Sequence, residues 1–181
     1  MITYFYQQLG PLTYPLLLCA LVASIIIMER LAALSIITLS GRLQENGRQL
    51  LVSHAGENKA IRDEIAALWL QGRQRRMSAG IRLLHIIALL SPLLGLLGTV
   101  VGLIDAFNSI GQHSGPIEPA LLAGGLGVAM KTTAAGLIIA VPTLLFAHLF
   151  QLWVEKLTYA TEKVMNMHSL QTEGVCTRAL I

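Results

Sequence analysis

Two long runs almost free of charge constrain this chain most. The first is LLHIIALLSPLLGLLGTVVGLIDAF, residues 83–107, and the second is PALLAGGLGVAMKTTAAGLIIAVPTLLFAHLF, residues 119–150. A helix rises about 1.5 Å per residue, so roughly 20 residues cross the roughly 30 Å hydrocarbon core of a bilayer. Each run is long enough. Both are rich in Gly, Ala, Ser and Thr, and each holds a proline. Such small residues point to helices packed closely on other helices, with a polar stripe hidden from lipid.

Hydrophobic residues make up 54% of the 181 residues and charged residues only 13%. The mean hydropathy is +0.64. A soluble domain of this length needs more polar surface, so the reading is an all-α integral membrane protein with three spans. The net charge of +3 does not argue for nucleic acid, because acids are interspersed with the basic residues 42–76 and aromatics are scarce. Cys19 and Cys176 fall in different environments, and no bridge is expected. No metal-ligand cluster, phosphate loop or hydrolase motif is visible, so neither an enzyme nor a cofactor is expected. The first apolar stretch lacks a basic residue before it and is not a cleavable leader by pattern.

The chain reads as seven segments. Residues 1–11 form an interfacial segment, with Tyr4, Phe5 and Tyr6 as anchors and Gly10-Pro11 as punctuation. Residues 12–34 form the first span, which Glu29 and Arg30 close. Residues 35–82 are polar and hold two helical pieces, near 36–54 and 57–71, with Gly56 and Gly72 as breaks. Residues 83–108 form the second span, 109–118 a short turn, 119–154 the third span with an extension, and 155–181 a mixed tail. The third stretch is about 54 Å long as a helix and so projects beyond the membrane.

Orientation follows from charge. Nine Lys and Arg lie from Arg30 to Arg82, none in residues 1–28 and none in the 109–118 turn. The positive-inside rule therefore puts 35–82 and the C-terminus in the cytoplasm, and the N-terminus and the turn outside.

The polar residues of the two runs are the candidate site. Thr99 stands among Gly95, Gly98 and Gly102, and Gly98 with Gly102 forms a GxxxG pair. Its hydroxyl either bonds back to its own helix or lines a passage. Pro92 and Pro142 each remove one helical hydrogen bond and favour a kink, and Ser91 stands ready to bond the freed carbonyl. Asp105 is either the mouth of an ion pathway or an ordinary interfacial carboxylate. Glu118 reads as chemistry of a helix start. His85 and His148 read as interfacial or packing residues. Lys131 lies near mid-membrane, where an unpaired ammonium costs roughly 3 kcal/mol. Successive residues are about 100° apart on a helix, so Lys131 and Thr133 point to nearly opposite faces, with Thr132 between. If Thr133 lines a cavity, Lys131 faces a seam between helices or subunits.

Two motifs carry a resemblance. Ser91–Val100, with Gly102, Ile104 and Phe107, resembles the second-helix signature of the proton-channel family that includes ExbB, TolQ and MotA. Gly125, Ala129, Thr132, Thr133, Ala134, Gly136, Leu137, Ala140 and Pro142 resemble its third-helix signature, and Glu29-Arg30 resembles the charge pair after its first helix. The short polar region is similar to the ExbB and TolQ branches rather than MotA. The resemblance implies a homopentameric ring in a bacterial inner membrane, driven by the proton motive force. It implies an ExbD-like single-span partner, whose protonatable Asp faces Thr99 and Thr133, and a TonB-like protein energised for transport across the outer membrane. A TolQ-like role in envelope integrity and division is the near alternative, and a non-conducting membrane scaffold the distant one. One departure stands out. Transport-type members have a Glu where this chain has Val128, and an apolar residue where it has Lys131.

Overall fold

The computed structural model describes residues 12–54, 56, 58–112 and 119–172. Tyr4, Phe5, Tyr6, Gly10-Pro11, most of the 109–118 turn with Glu118, and Cys176 lie outside these residues. Four helices are described: α1 (Thr13–Ser40), α2 (Arg42–Ser53), α3 (Lys59–Gly111) and α4 (Pro119–Thr172). Helix is the structure these runs require, because hydrocarbon offers no partner for an open backbone N–H or C=O. Helices α1, α3 and α4 each contain a window long and apolar enough to cross a membrane, with mean hydropathies of 2.2, 2.3 and 2.0. At most a third of each window is buried within the chain. The rest of that apolar surface is left for lipid or other chains.

The elements run longer than their hydrophobic pattern implied. Helix α1 passes position 34 and ends at Ser40, because Gly41 takes a left-handed conformation at φ 58°. That is the conformation a glycine adopts without penalty, and it turns the chain into α2. Gly72 does not break α3. A single exposed glycine with helical dihedrals costs only about 1 kcal/mol against the many hydrogen bonds around it. Helix α4 continues through residues 155–172. Its buried face there is Val154, Thr158, Thr161, Met165 and Ser169, spaced by threes and fours. Three of the five are hydroxyl residues, which is why a hydrophobic period was not visible.

The described chain divides into two compact units. The first combines residues up to Ile27 with Leu83–Ala147. Its buried residues include Leu16, Cys19, Ala23 and Ile26 on α1, which share one face at helical spacing. The second combines Met28–Arg82 with His148–Ile181. Its core holds Leu34, Leu43, Leu51, Leu70, Met77, Phe150 and Val154. In it, α2 packs through Leu43, Gly47 and Leu51, and Gly47 lies under Met165 and Thr161 of α4. Trp153 donates its indole N–H to Thr38 Oγ1 at 3.1 Å. Arg62, buried, donates to the carbonyl and hydroxyl of Ser169, and Ser169 donates to Asp63 Oδ1 at 2.7 Å.

Candidate functional site

Within the first unit, α3 and α4 meet along a stripe of the smallest residues. On α3 the buried positions are Leu84, Ile87, Ala88, Ser91, Gly95, Gly98, Gly102 and Ala106; on α4 they are Ala129, Thr132, Gly136, Ala140, Thr143 and Ala147. Both sets recur at intervals of three and four, which keeps them on one helix face. Their pairing is antiparallel. Gly102 sits against Gly125 and Ala129, Gly98 against Thr132, and Gly95 against Thr132, Thr133 and Gly136. A Cβ on Gly136 would lie 2.6 Å from the backbone oxygen of Ser91, and one on Gly125 would lie 2.9 Å from that of Gly102. The backbones themselves are in contact, which is what a small-residue motif permits in place of a hydrophobic driving force.

The hydroxyls of this unit divide by position. Thr132 is only 1% exposed, fills the space beside Gly98, and donates to Ala129 O on its own helix at 2.7 Å. Thr133, half-buried, donates across the seam to Gly95 O at 3.2 Å. Thr99, also half-buried, donates to Leu96 O at 2.7 Å. Ser91 is fully buried and donates to Ile87 O at 2.8 Å. The carbonyl that Pro92 leaves without its helical donor is that of Ala88, four residues back, so Ser91 does not repair it. Its short side chain reaches its own preceding turn instead. Helix α3 runs through Pro92, and α4 through Pro142. Thr143, beside Pro142, likewise donates back, to Ile139 O.

Lys131 is exposed and does not enter the α3–α4 seam. Thr132 occupies that seam, and Thr133 flanks it. Asp105 is exposed near the end of α3, where its carbonyl accepts from Ser109 Oγ. The structure therefore brings Gly95, Gly98, Gly102, Thr132, Thr133 and Gly136 together and leaves Lys131 and Asp105 outside. Ala106, Gly125 and Ala129 belong to the stripe as much as the glycines singled out from sequence. The spacing of small residues, rather than any GxxxG pair alone, is the signal that finds them.

The Glu29-Arg30 pair lies in the second unit. Glu29 is 61% exposed and Arg30 17%. The ion pair is loose, at 3.6 Å. Arg30 is held instead by α3: its Nη1 donates to Met77 O at 3.2 Å. A Cβ on Gly80 would lie 2.5 Å from Arg30 Nε, so Gly80 makes the room in which the guanidinium lies.

Comparison with known proteins settles the family. Residues 36–163 match the MotA/TolQ/ExbB proton channel family. The chain belongs to this family. It is 36% identical to the biopolymer transport protein exbB1 of Vibrio cholerae, over 96% of this chain and 89% of that protein. It is 44% identical to the biopolymer transport protein ExbB of Neisseria gonorrhoeae over 39% of this chain and 32% of that protein. It is 46% identical to a putative biopolymer transport protein, ExbB-like 1, of Synechocystis over 46% and 34% respectively. In this member of a proton channel family, Thr99, Thr132 and Thr133 lie at and beside a glycine seam between two long helices.

Proposed function

We propose that this chain is the ring subunit of an ExbB-type inner-membrane motor that uses the proton motive force to energise a TonB-like protein for transport across the outer membrane. The observation that carries the reading is the pair Thr99 and Thr133. They are half-buried hydroxyls beside a backbone-to-backbone helix seam, in a chain whose relatives are named biopolymer transport proteins. Five copies would form the ring, with 35–82 and the C-terminus cytoplasmic. The passage would hold the single helix of an ExbD-like partner, whose Asp takes up and releases the proton.

The hydrogen bonds support an acceptor role for the two threonines. Both hydroxyl protons are already committed, to Leu96 O and to Gly95 O. A hydroxyl whose proton is in use presents lone pairs, so each is an acceptor toward the passage. An acceptor suits the protonated carboxylic acid, which has an O–H to donate, and offers nothing to the carboxylate. The partner's Asp is then held beside Thr99 and Thr133 when protonated and released when ionised. Lys131, exposed on the other side of α4, falls to a seam between subunits, and Asp105 to the outer mouth.

Val128 and the lack of any Asp or Glu in residues 119–154 favour a second reading, a non-conducting scaffold. One experiment separates the two. Thr99→Val and Thr133→Val are co-expressed with the ExbD-like partner, and complex mass and TonB-dependent uptake are measured. The motor reading expects an intact pentamer holding its partner, with uptake lost. Wild-type uptake by both variants refutes it.

A further inference from the structure

The second unit holds a cavity lined by none of the residues proposed above to face the passage. It has a volume of about 350 Å³ and is lined by Arg30, Ile36, Ile37, Ser40, Leu43, Asn46, Arg73, Arg76 and Met77. This size falls in the range of about 300 to 1,000 Å³ typical of ligand sites. Its chemistry is two-sided. Three arginines with Asn46 offer donors, the Ser40 hydroxyl already donates to Ile37 O, and Ile36, Ile37, Leu43 and Met77 offer apolar wall. No acid lines it; the neighbouring carboxylate, Glu29, is mostly exposed and only loosely paired with Arg30.

Three arginines around one cavity give it a positive potential that favours an anion. The donors are also incompletely used. Arg30 Nε is buried with no hydrogen-bond partner among the described residues. An unsatisfied buried N–H costs about 1–3 kcal/mol, more when charged, so such a group in a native fold calls for an explanation. Arg73 lies over the Trp69 ring, 5.4 Å from its centre, a contact that leaves guanidinium edge donors available. The position along the chain narrows the anion. Arg30 follows Glu29 at the end of the charge-free run of α1, and Arg73, Arg76 and Met77 precede the apolar run of α3, which begins at Leu83, by ten, seven and six residues. If those runs span the membrane, the cavity lies at the headgroup level of one leaflet.

We propose that this cavity binds the phosphodiester headgroup of an anionic membrane phospholipid, with Arg30, Arg73 and Arg76 on the phosphate and the Ile36, Ile37, Leu43 and Met77 wall against the start of an acyl chain. Guanidinium forks match phosphate oxygens, and basic pockets at membrane-helix ends take such headgroups. A free phosphate would share the polar contacts but would leave the apolar wall uncovered.

The test uses the full chain, delipidated in detergent and followed by native mass spectrometry with added phosphatidylglycerol or phosphatidylcholine of equal chain length. The expected result is retention of phosphatidylglycerol at least tenfold above phosphatidylcholine. Loss of that preference is expected in Arg73→Gln/Arg76→Gln, both exposed and so tolerant of change, and retention in Arg48→Gln, a basic residue outside the cavity. Inorganic phosphate at millimolar concentration should not displace the lipid. The proposal is overturned if the double variant keeps the wild-type preference, if Arg48→Gln loses it equally, or if phosphate alone displaces the lipid. Unfolding of each variant by circular dichroism separates loss of the site from loss of the fold. Proton-driven uptake plays no part in the readout, so this result stands apart from the motor reading.

Discussion

Gly136→Ala tests the backbone contact between α3 and α4 directly. The new methyl would meet Ser91 O at 2.6 Å and Gly95 Cα at 3.2 Å. Both are backbone atoms, so no side chain can rotate away. Ordinary contact begins near 3.4 Å, and the helices must open by about 0.8 Å. The Thr133 Oγ1 to Gly95 O bond is already 3.2 Å long, and the same displacement stretches it to about 4 Å, past any useful hydrogen bond. Overpacking of this kind costs about 1–3 kcal/mol, and the lost interhelical bond adds roughly 0.6 kcal/mol. Alanine returns about 1 kcal/mol of helix propensity. Gly127→Ala is the control. It lies on the same helix, a Cβ there meets nothing within 4 Å, and it gains the same propensity without the clash. The two variants should differ by about 2–4 kcal/mol in SDS-induced unfolding of the detergent-solubilised chain, followed by circular dichroism. Unfolding curves for the two within about 0.5 kcal/mol of each other would refute the close-packed seam.

Three further outcomes are expected. Gly41→Ala should destabilise by about 1 kcal/mol purely through its left-handed backbone, since nothing lies within 4 Å of the added Cβ; equal stability in thermal unfolding would contradict that. Gly80→Ala should displace the Arg30 guanidinium and break its bond to Met77 O, so its effect should largely vanish in an Arg30→Ala background; additivity in the double-mutant cycle would show that the two do not touch. Glu29→Gln should change stability by less than about 0.5 kcal/mol, because its ion pair is long and its carboxylate is mostly in solvent; a larger loss would mean that the pair, rather than Met77, anchors Arg30.

The membrane helices were legible because bilayer thickness imposes a length, and a charge-free run of that length has few other uses. The seam was legible in part. Gly95, Gly98, Gly102 and Gly136 announce close approach, but which of Lys131, Thr132 and Thr133 enters it depends on helix rotation by 100° steps, and only the packing fixes that rotation. Thr132 points in, and Lys131 points away. The long extension of α4 was hidden because Thr158, Thr161 and Ser169 do the packing that a hydrophobic pattern assigns to aliphatic residues. Gly41 and Gly72 look alike in sequence, yet only Gly41 uses its positive φ. The contacts of Arg30 with Met77 and Gly80, and of Arg62 with Ser169, join positions about 50 and 107 residues apart, and no local pattern encodes such pairs.

The glycine seam also has an entropic side. Side chains that pack usually surrender rotamers, up to about 2 kcal/mol for the long ones. Glycine and alanine have none to surrender. Along Gly95, Gly98, Gly102, Gly125, Ala129 and Gly136 the two helices join without freezing a single side-chain torsion, Thr132 is already fixed by a bond to its own helix, and only Thr133 is ordered by a bond across the seam. Association therefore starts with almost no conformational debt. The same lack of torsions leaves the seam with nothing that can readjust, so it should be tolerant of temperature and intolerant of added volume.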